Sequence, residues 1–298
     1  MVGLHSAAVP ADTPQPERTM LTLSPLPSFR KPPVGEVLLA IQFQQLDRLN
    51  LRHIGPLCDR FGDRYPQFEI QASLPPVVER FDGPRPIRGL SIEMMDVPTF
   101  PRLWLIDAKG EELVQLQRDR LMHNWRNTPI GSEYPRYPRL REQFLSDWKV
   151  LEAFASASQL GDLLPTQCEV VYTNQIEADD GSGRSHADPS AFFSFFAAPL
   201  CNHGQSEFEA VTYSSSGVAQ EAREKGTIRG RLFVELTSGV NLATRKLTYQ
   251  LQLTLRGSPL SQDIGSALQF FDFARARIVR AFAALTTPEM HKKWERLQ

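Results

Sequence analysis

An alternating strand followed by a long helical stripe constrains the fold of this chain more than any other feature. Residues 247–255 alternate apolar and polar side chains without interruption, which is typical of an antiparallel strand with one buried and one solvated face. Residues 264–285 carry apolar side chains three or four positions apart. That spacing predicts a helix of about six turns with a single apolar stripe. Together the two segments predict an antiparallel sheet covered by a long helix.

The first half of the chain carries similar patterns. Residues 34–43 predict a buried strand, and residues 138–155 predict an amphipathic helix. Between them, a turn at residues 107–110 joins a short strand to a longer return strand over residues 111–125. The apolar residues of that return strand lie mostly at even positions before Asp119 and mostly at odd positions after it. This change of the apolar face predicts a β-bulge near Asp119. A helix over residues 49–61, with a start that Pro56 can delay, is expected to end at Gly62 in left-handed geometry.

These patterns predict an α+β fold. The sheet or sheets are expected to be mainly antiparallel, with long amphipathic helices packed on one face. The repeated order of strands and a long helix suggests two related β-rich halves, of either ferredoxin-like or helix-grip-like arrangement. The expected division is a flexible proline-rich arm at 1–31, an α+β half at 32–176, a linker at 177–205 and a sheet with a long helix at 206–298.

Composition excludes several broad classes. Of the 298 residues, 33 are basic and 34 acidic, so the net charge of −1 provides no global attraction for nucleic acid or an acidic membrane. The sequence lacks an apolar run of about 18 residues, so no membrane partner is expected. The three cysteines are widely spaced, which favours a reducing, cytoplasmic location. The first residues do not have the pattern of a signal peptide, which agrees with that expectation.

No catalytic motif or cofactor motif stands out. The sequence contains none of the patterns GxxxxGK[ST], GxGxxG, GxSxG or HExxH. His186, Asp188, Cys201 and His203 form a loose group near a glycine-rich and serine-rich segment, but their spacing fits no known metal finger, so no metal is predicted. His123 and Asp119 lie on the same predicted strand, too far apart for contact in a flat strand. His123 is therefore interpreted as a strand-face histidine.

A strip rich in arginine and aromatic residues is the strongest functional hint. Arginine binds phosphate through a planar fork, and aromatic rings stack on bases, so the strip would suit single-stranded nucleic acid. The alternative interpretation is ordinary surface charge paired with carboxylates. The predicted nucleic-acid-binding residues are Arg118, Arg120, His123, Trp125, Arg126, Arg136, Arg139 and Arg141.

A phenylalanine cluster after the predicted linker is the second hint. So much aromatic area either packs in the core or forms a sticky patch that a partner covers. The cluster is therefore a candidate protein-binding or self-association surface. Its members are Phe192, Phe193, Phe195 and Phe196.

Three segments also resemble a known family. They are PPVGEVLLAIQF at 32–43, LVQLQRDRLMHNWR at 113–126 and CEVVYTNQI at 168–176, and with the late Trp294 they resemble a sporadically distributed family of uncharacterised bacterial proteins of similar length. The resemblance covers most of residues 32–298. It implies no catalytic set, and the patchy distribution of that family suggests an association with defence or mobile-element systems by analogy.

The resulting expectation is a non-enzymatic binding or assembly component, of a bacterial defence or mobile-element system, with a protein partner or self-association. The first alternative is a nucleic-acid-binding protein or RNA-processing enzyme that uses the arginine strip. The second is a small-molecule sensor, which would require a large closed apolar cavity under residues 264–282.

Overall fold

The structure is a computed structural model that describes residues 25–81, 100–128, 133–178, 186–196, 210–221, 227–242 and 244–298. The strands within these ranges are β1 (Val34–Phe43), β2 (Gln67–Gln71), β3 (Arg102–Ile106), β4 (Glu112–Gln117), β5 (Arg120–Arg126), β6 (Pro165–Glu177), β7 (Thr212–Gln220), β8 (Ile228–Val240) and β9 (Leu247–Gly257). The helices are α1 (Ile54–Phe61), α2 (Tyr137–Ala157), α3 (Ile264–Leu285) and α4 (Pro288–Lys293). The predicted α+β class with mainly antiparallel strands is confirmed.

The strands form one antiparallel sheet in the order β2-β3-β4-β5-β1-β6-β9-β8-β7. Its two halves follow the same path. From β1 the chain leaves and returns through a meander whose last strand, β5, pairs with β1 and leads into α2. From β6 it returns through β9, which pairs with β6 and leads into α3. Of the two expected arrangements, each half is closer to the helix-grip-like one, an antiparallel meander closed by a long helix.

The two halves meet where β1 pairs with β6 in the middle of the sheet. The repeat therefore groups β6 with the second half, whereas the sequence suggested a division after residue 176. Because one continuous sheet runs through both halves, the strand order does not mark a separate linker there. The predicted domain boundaries stay a prediction.

The long helices cover one side of the sheet, which we call the helix face. α2 packs on β5, and α3 packs on β6 and β9. The two helices meet where Phe144 and Phe271 make an edge-to-face contact, with 5.0 Å between ring centroids. Leu253 and Leu255 of β9 point to this side and are fully buried, as their alternation predicts. The opposite side, which we call the open face, carries mostly polar side chains.

The segment after the first hairpin differs from its prediction. It forms two strands, β4 and β5, that pair with each other across a tight turn at Arg118 and Asp119. The predicted β-bulge near Asp119 is therefore wrong, because the apolar parity changes where the chain reverses direction. The expectation for Gly62 is wrong as well, because this residue has a helical φ of −58°.

Part of the predicted proline-rich arm pairs with the end of the chain. Arg30 N donates to Glu295 O at 3.0 Å, and Lys31 N donates to Trp294 O at 3.1 Å. Phe29 is buried between Phe282 and Trp294 in edge-to-face contacts. Residues 1–24 lie outside the described residues, so the flexibility expected of them stays a prediction.

Candidate functional site

An extended segment, residues 72–81, crosses the open face, and we call it the strap. Leu74, Pro75 and Val77 bond in turn to β4, β5 and β1. Glu79 then bonds to β6, β9 and β8. This is the order of these strands in the sheet. Most of its sheet contacts are made by one row of cross-strand neighbours. The row consists of Gln117, Arg120, Gln42 and Gln167. The strap therefore lies roughly perpendicular to the strands, along a polar row that the antiparallel register assembles.

Two glutamines of this row hold the strap by its main chain. Gln42 donates from Nε2 to Val77 O at 2.6 Å and accepts from Val77 N at 2.8 Å through Oε1. Gln117 makes the same pair with Leu74, at 2.9 Å and 3.0 Å. A primary amide that both donates to and accepts from one residue imitates a neighbouring strand. These contacts recognise an extended backbone and ignore the side chains that it carries.

The far end of the strap is held by charge. Glu79 forms ion pairs with Arg231 at 3.0 Å and with Arg256 at 3.3 Å. Arg256 also pairs with Glu169 of β6. Arg231 donates to the carbonyl of Arg80 at 3.0 Å and lies over the ring of Phe81. Because the Glu79 side chain is only 7% exposed, its charge depends on these two arginines for compensation.

A cavity of about 280 Å³ lies beneath the strap. Leu74, Pro75 and Val77 line it from the strap, and Arg120 lines it from the sheet. Arg120 is 7% exposed, donates to the carbonyl of Pro75 at 3.0 Å and also bonds to Gln42. Its Nε is buried and has no hydrogen-bond partner among the described residues. Burial lowers the pKa of this guanidinium below its ordinary value, which indicates that the charge is incompletely compensated.

A second polar row crosses the first half of the open face. Gln115 of β4 donates to Asn124 at 2.8 Å and accepts from Trp104 at 3.0 Å and from Arg102 at 2.9 Å. The guanidinium of Arg102 also lies over the indole ring of Trp104. This face therefore presents amide and guanidinium groups in fixed positions, as a binding surface for polar groups requires.

The helix face contains a closed network of ionisable groups. His123 Nδ1 and Asp147 Oδ2 are 2.8 Å apart, and their side chains are 1% and 3% exposed. Tyr65 donates its hydroxyl to Asp147, and Arg64 joins Asp147 to Glu112. Burial and the charge of Asp147 raise the pKa of Tyr65 well above its ordinary value. Arg64 reaches the surface with 30% of its side chain exposed, whereas His123 and Asp147 are buried, so the network orients His123 without exposing its ring.

The partner of His123 was missed by sequence reasoning, which considered Asp119 instead. Asp119 lies in the β4–β5 turn, where it accepts from Gln117 at 2.7 Å. Asp147 lies three residues after Phe144 and four before Leu151 on the buried face of α2. A lone carboxylate on an apolar helical stripe is unusual unless it is paired. That position was the signal in the sequence that could have identified it.

The structure separates the predicted arginine strip. Arg120 faces the strap, whereas His123 and Trp125 of the same strand are buried on the helix face. Arg118 bonds to the carbonyls of Leu46 and Asp47, so it anchors a loop.

The remaining strip residues lie apart from one another. Arg126 bonds to the carbonyl of Gly110 at 2.7 Å, and Arg136 bonds to the carbonyls of Phe29 and Arg30. Arg139 is exposed on α2, and Arg141 pairs with Asp272 of α3. The eight residues thus form no continuous surface, and nucleic-acid binding by them stays a prediction.

The phenylalanine cluster is divided between core and surface. Phe192 and Phe193 are buried and pack against Tyr249 of β9. Phe195 and Phe196 are half-buried, and the ring centroid of Phe195 lies 4.7 Å from that of Tyr213 on β7. Partner binding by the cluster stays a prediction, with Phe195 and Phe196 as its accessible members.

The loose group of possible metal ligands, His186, Asp188, Cys201 and His203, lies only partly within the described residues. His186 is buried, contacts the carbonyl of Gly239 at 3.0 Å and lies beside Tyr249. Asp188 accepts from Ser190 N at 2.8 Å in a local turn, and Cys201 and His203 lie outside the described residues. Among the described residues, no three His, Cys, Asp or Glu side chains come together as a metal site would need.

One of the cavities next to the long helix is small. It has a volume of about 90 Å³ and lies between α3, the start of α2 and residues 27–34. Tyr134 and Tyr172 contact each other in its wall through their hydroxyls at 3.1 Å. This volume is below that of a typical small-molecule site. A wider and more open pocket of about 570 Å³ lies beside Arg277 and Arg280 of α3, and the sensor alternative stays a prediction.

None of the helices described here combines the length and apolar character needed to cross a bilayer. No family model, curated protein or solved structure matches the chain.

Proposed function

We propose that this protein is a non-enzymatic binding or assembly component that uses the open face of its sheet to bind a protein partner. The observation that carries the proposal is the pair of two-point amide contacts that Gln42 and Gln117 make with the main chain of the strap. Side chains that bind the peptide backbone are the feature expected of a surface for extended polypeptide.

The rest of the open face supports this proposal. Its two polar rows place amide and guanidinium groups on a rigid sheet, where they keep their geometry before a partner arrives. Preorganised groups of this kind reduce the ordering that binding requires. The ionisable cluster that most resembles catalytic machinery, His123 with Asp147, is buried on the opposite side, which favours a role in stability.

A position-specific cross-linking experiment tests the proposal. A photo-reactive phenylalanine analogue is placed at Glu235, which is exposed on the open face of β8, and separately at Glu152, which is exposed on α2. In cells that express the protein natively, we expect one discrete cross-linked partner from position 235 and none of that size from position 152. Equal products from both positions, or none from position 235, would contradict the proposal.

Single-stranded nucleic acid is the second candidate, and the arginine–aromatic pairs of the open face favour it. Arg102 lies 5.5 Å from the Trp104 ring centroid, and Arg256 lies 5.4 Å from that of Phe233. Such pairs can stack on bases and contact phosphates. In a gel-shift titration at low and moderate salt, Arg102→Gln should weaken binding, whereas the control Arg139→Gln on α2 should not. Unchanged binding by both variants counts against this candidate.

The link to bacterial defence or mobile elements depends only on the resemblance given above, and it stays a prediction.

A further inference from the structure

We infer that the strap is an internal ligand that occupies a groove for an extended acidic segment of a partner polypeptide, and that the partner competes with the strap for it. The inference depends on the proposed function and specifies the partner's chemistry. The groove consists of the polar row with Arg231, Arg256 and the cavity under the strap.

The strap lies on the sheet without joining the core. The contiguous buried core contains no residue from 72–81. Pro75, Pro76 and Arg80 are exposed, and Val78 is 62% exposed. The contacts that hold the strap are hydrogen bonds and ion pairs made by side chains of the sheet. A segment held in this way can leave without opening a hydrophobic core, because little apolar surface would be uncovered.

The fit between the strap and the sheet is incomplete. A pocket of about 280 Å³, which is partly open to solvent, lies between the strap and the open face. Met122 and Ala40 form part of the floor of this cavity. Arg120 reaches into it with a buried Nε that has no hydrogen-bond partner among the described residues. A partner with larger side chains and another acceptor would fill the space and satisfy that atom.

The charge of the groove defines the partner as acidic. On the sheet side, Arg120, Arg231 and Arg256 are accompanied by two carboxylates, Glu169 and Asp119. Glu79 of the strap supplies the third carboxylate, so the groove without the strap carries an excess of positive charge. When the strap leaves, water can solvate these arginines, but a partner that covers them again without a carboxylate would bury uncompensated charge, which is unfavourable. The incoming segment must therefore bring a carboxylate to the position that Glu79 occupies.

The two recognition elements have a fixed spacing. The main chain is held at Leu74 and Val77, and the carboxylate lies two residues further along, at Glu79. A matching partner segment is extended over at least six residues. It has an Asp or Glu at the end of the groove where Arg231 and Arg256 lie. Its other side chains face outwards or into the cavity and are weakly specified.

The strap must compete strongly while it is attached. A tethered ligand has an effective concentration on the order of millimolar, so a weak peptide added in solution cannot displace it easily. Weakening the strap should expose the groove. Val77→Pro removes the N–H that Gln42 accepts, and Glu79→Ala removes the carboxylate. The matched control, Val78→Pro with Arg80→Ala, alters neighbouring positions whose side chains are exposed.

The probe is a fluorescein-labelled peptide of sequence ASLPPVVERF, which corresponds to residues 72–81, followed by fluorescence anisotropy. We expect the Val77→Pro/Glu79→Ala protein to bind it at least tenfold more tightly than the wild type or the control variant. Replacing the peptide's glutamate by glutamine should weaken binding about tenfold. Adding Arg231→Gln to the protein should weaken peptide binding by a similar factor. Combining Arg231→Gln with the glutamine peptide should weaken binding little more than either change alone, because both changes remove the same ion pair.

Several outcomes would overturn the inference. If the weakened variant keeps the melting temperature of the control and binds no peptide at millimolar concentration, the groove is not a peptide site. If it binds a ten-thymidine oligonucleotide and not the peptide, the groove takes nucleic acid. If the double variant does not fold, Glu79→Ala alone replaces it, and a gain of less than threefold counts against the inference.

The result is separable from the proposed function. If position 235 cross-links a partner but the weakened variant binds no peptide, the proposal that the strap competes with the partner is rejected, and the open face remains a partner-binding surface. Absence of both rejects the open face as a protein-binding surface.

Discussion

His123 Nδ1 lies 2.8 Å from Asp147 Oδ2, and this contact joins β5 to α2 inside the core. Because an ionised carboxylate can only accept, Nδ1 carries the proton. Asp147 also accepts from Tyr65 and Arg64, so one carboxylate binds three donors from two separate parts of the chain. The cluster links α2 and the residues that follow α1 to β4 and β5.

Asp147→Asn should destabilise the protein by about 3 kcal/mol, because an amide N–H would replace one carboxylate oxygen and face the donors of His123, Tyr65 or Arg64 without an acceptor. The free energy of unfolding in urea measures the effect. Glu152→Gln, on the exposed side of the same helix, should change it by less than about 0.5 kcal/mol. Similar values for the two variants would show that Asp147 does not organise this region.

Gly257→Ala should destabilise the protein by about 2 kcal/mol, because a Cβ there would overlap the backbone of β8. The added atom would lie 2.8 Å from Gly230 Cα and would also clash with the carbonyl of Arg229. Gly239→Ala is the control, since a Cβ at that position meets nothing within 4 Å. Chemical denaturation of both variants distinguishes them, and an unaffected Gly257→Ala protein would mean that β8 and β9 are further apart than described.

Stability should decrease below about pH 6.5 through His291. Burial, followed by the charge of Arg296, lowers the pKa of His291 below its ordinary value of 6.5, while Glu289 acts in the opposite direction. Nδ1 accepts from Arg296 at 3.1 Å, and Nε2 contacts Thr286 Oγ1 at 2.9 Å, an arrangement that suits a neutral ring. A pKa lowered by folding adds stability above the unfolded pKa and loses it as the pH falls through the folded pKa.

The measurement is the melting temperature at pH 7.5 and pH 5.5. Other groups also titrate in this interval, so the wild type is compared with His291→Gln. We expect a smaller decrease in the variant than in the wild type. An equal decrease in both proteins would remove His291 as a source of the pH dependence.

Cys168 should be inert in the native protein. It is 1% exposed on β6, and burial raises the pKa of its thiol far above the usual range. Because the thiolate is the reactive form, an aromatic disulfide reagent at pH 8 should modify it only on denaturation. The experiment uses a Cys58→Ser/Cys201→Ser background, in which Cys168 is the remaining cysteine. Modification within minutes in the folded state would contradict the burial of this strand.

The strap illustrates what could be foreseen and what could not. Gln42 and Gln117 are visible in the sequence as polar residues inside apolar strands, which indicates one face with polar contacts. Their shared role depends on the cross-strand register that places both in one row with Arg120. The sequence interpretation grouped Arg120 with nearby arginines along the chain, whereas its neighbours in space come from β1 and residues 72–81.

Elements with a local pattern could be predicted from the amino-acid sequence alone. The bounds of β1 and α3 agree with their predictions, because alternation and the helical period directly reflect which side of a segment is buried. The folded structure was needed to establish three features: the reversal at Arg118 and Asp119, the pairing of His123 with Asp147, and the path of the strap. These features join residues far apart in sequence through the order of strands in the sheet, and no local periodicity specifies that order.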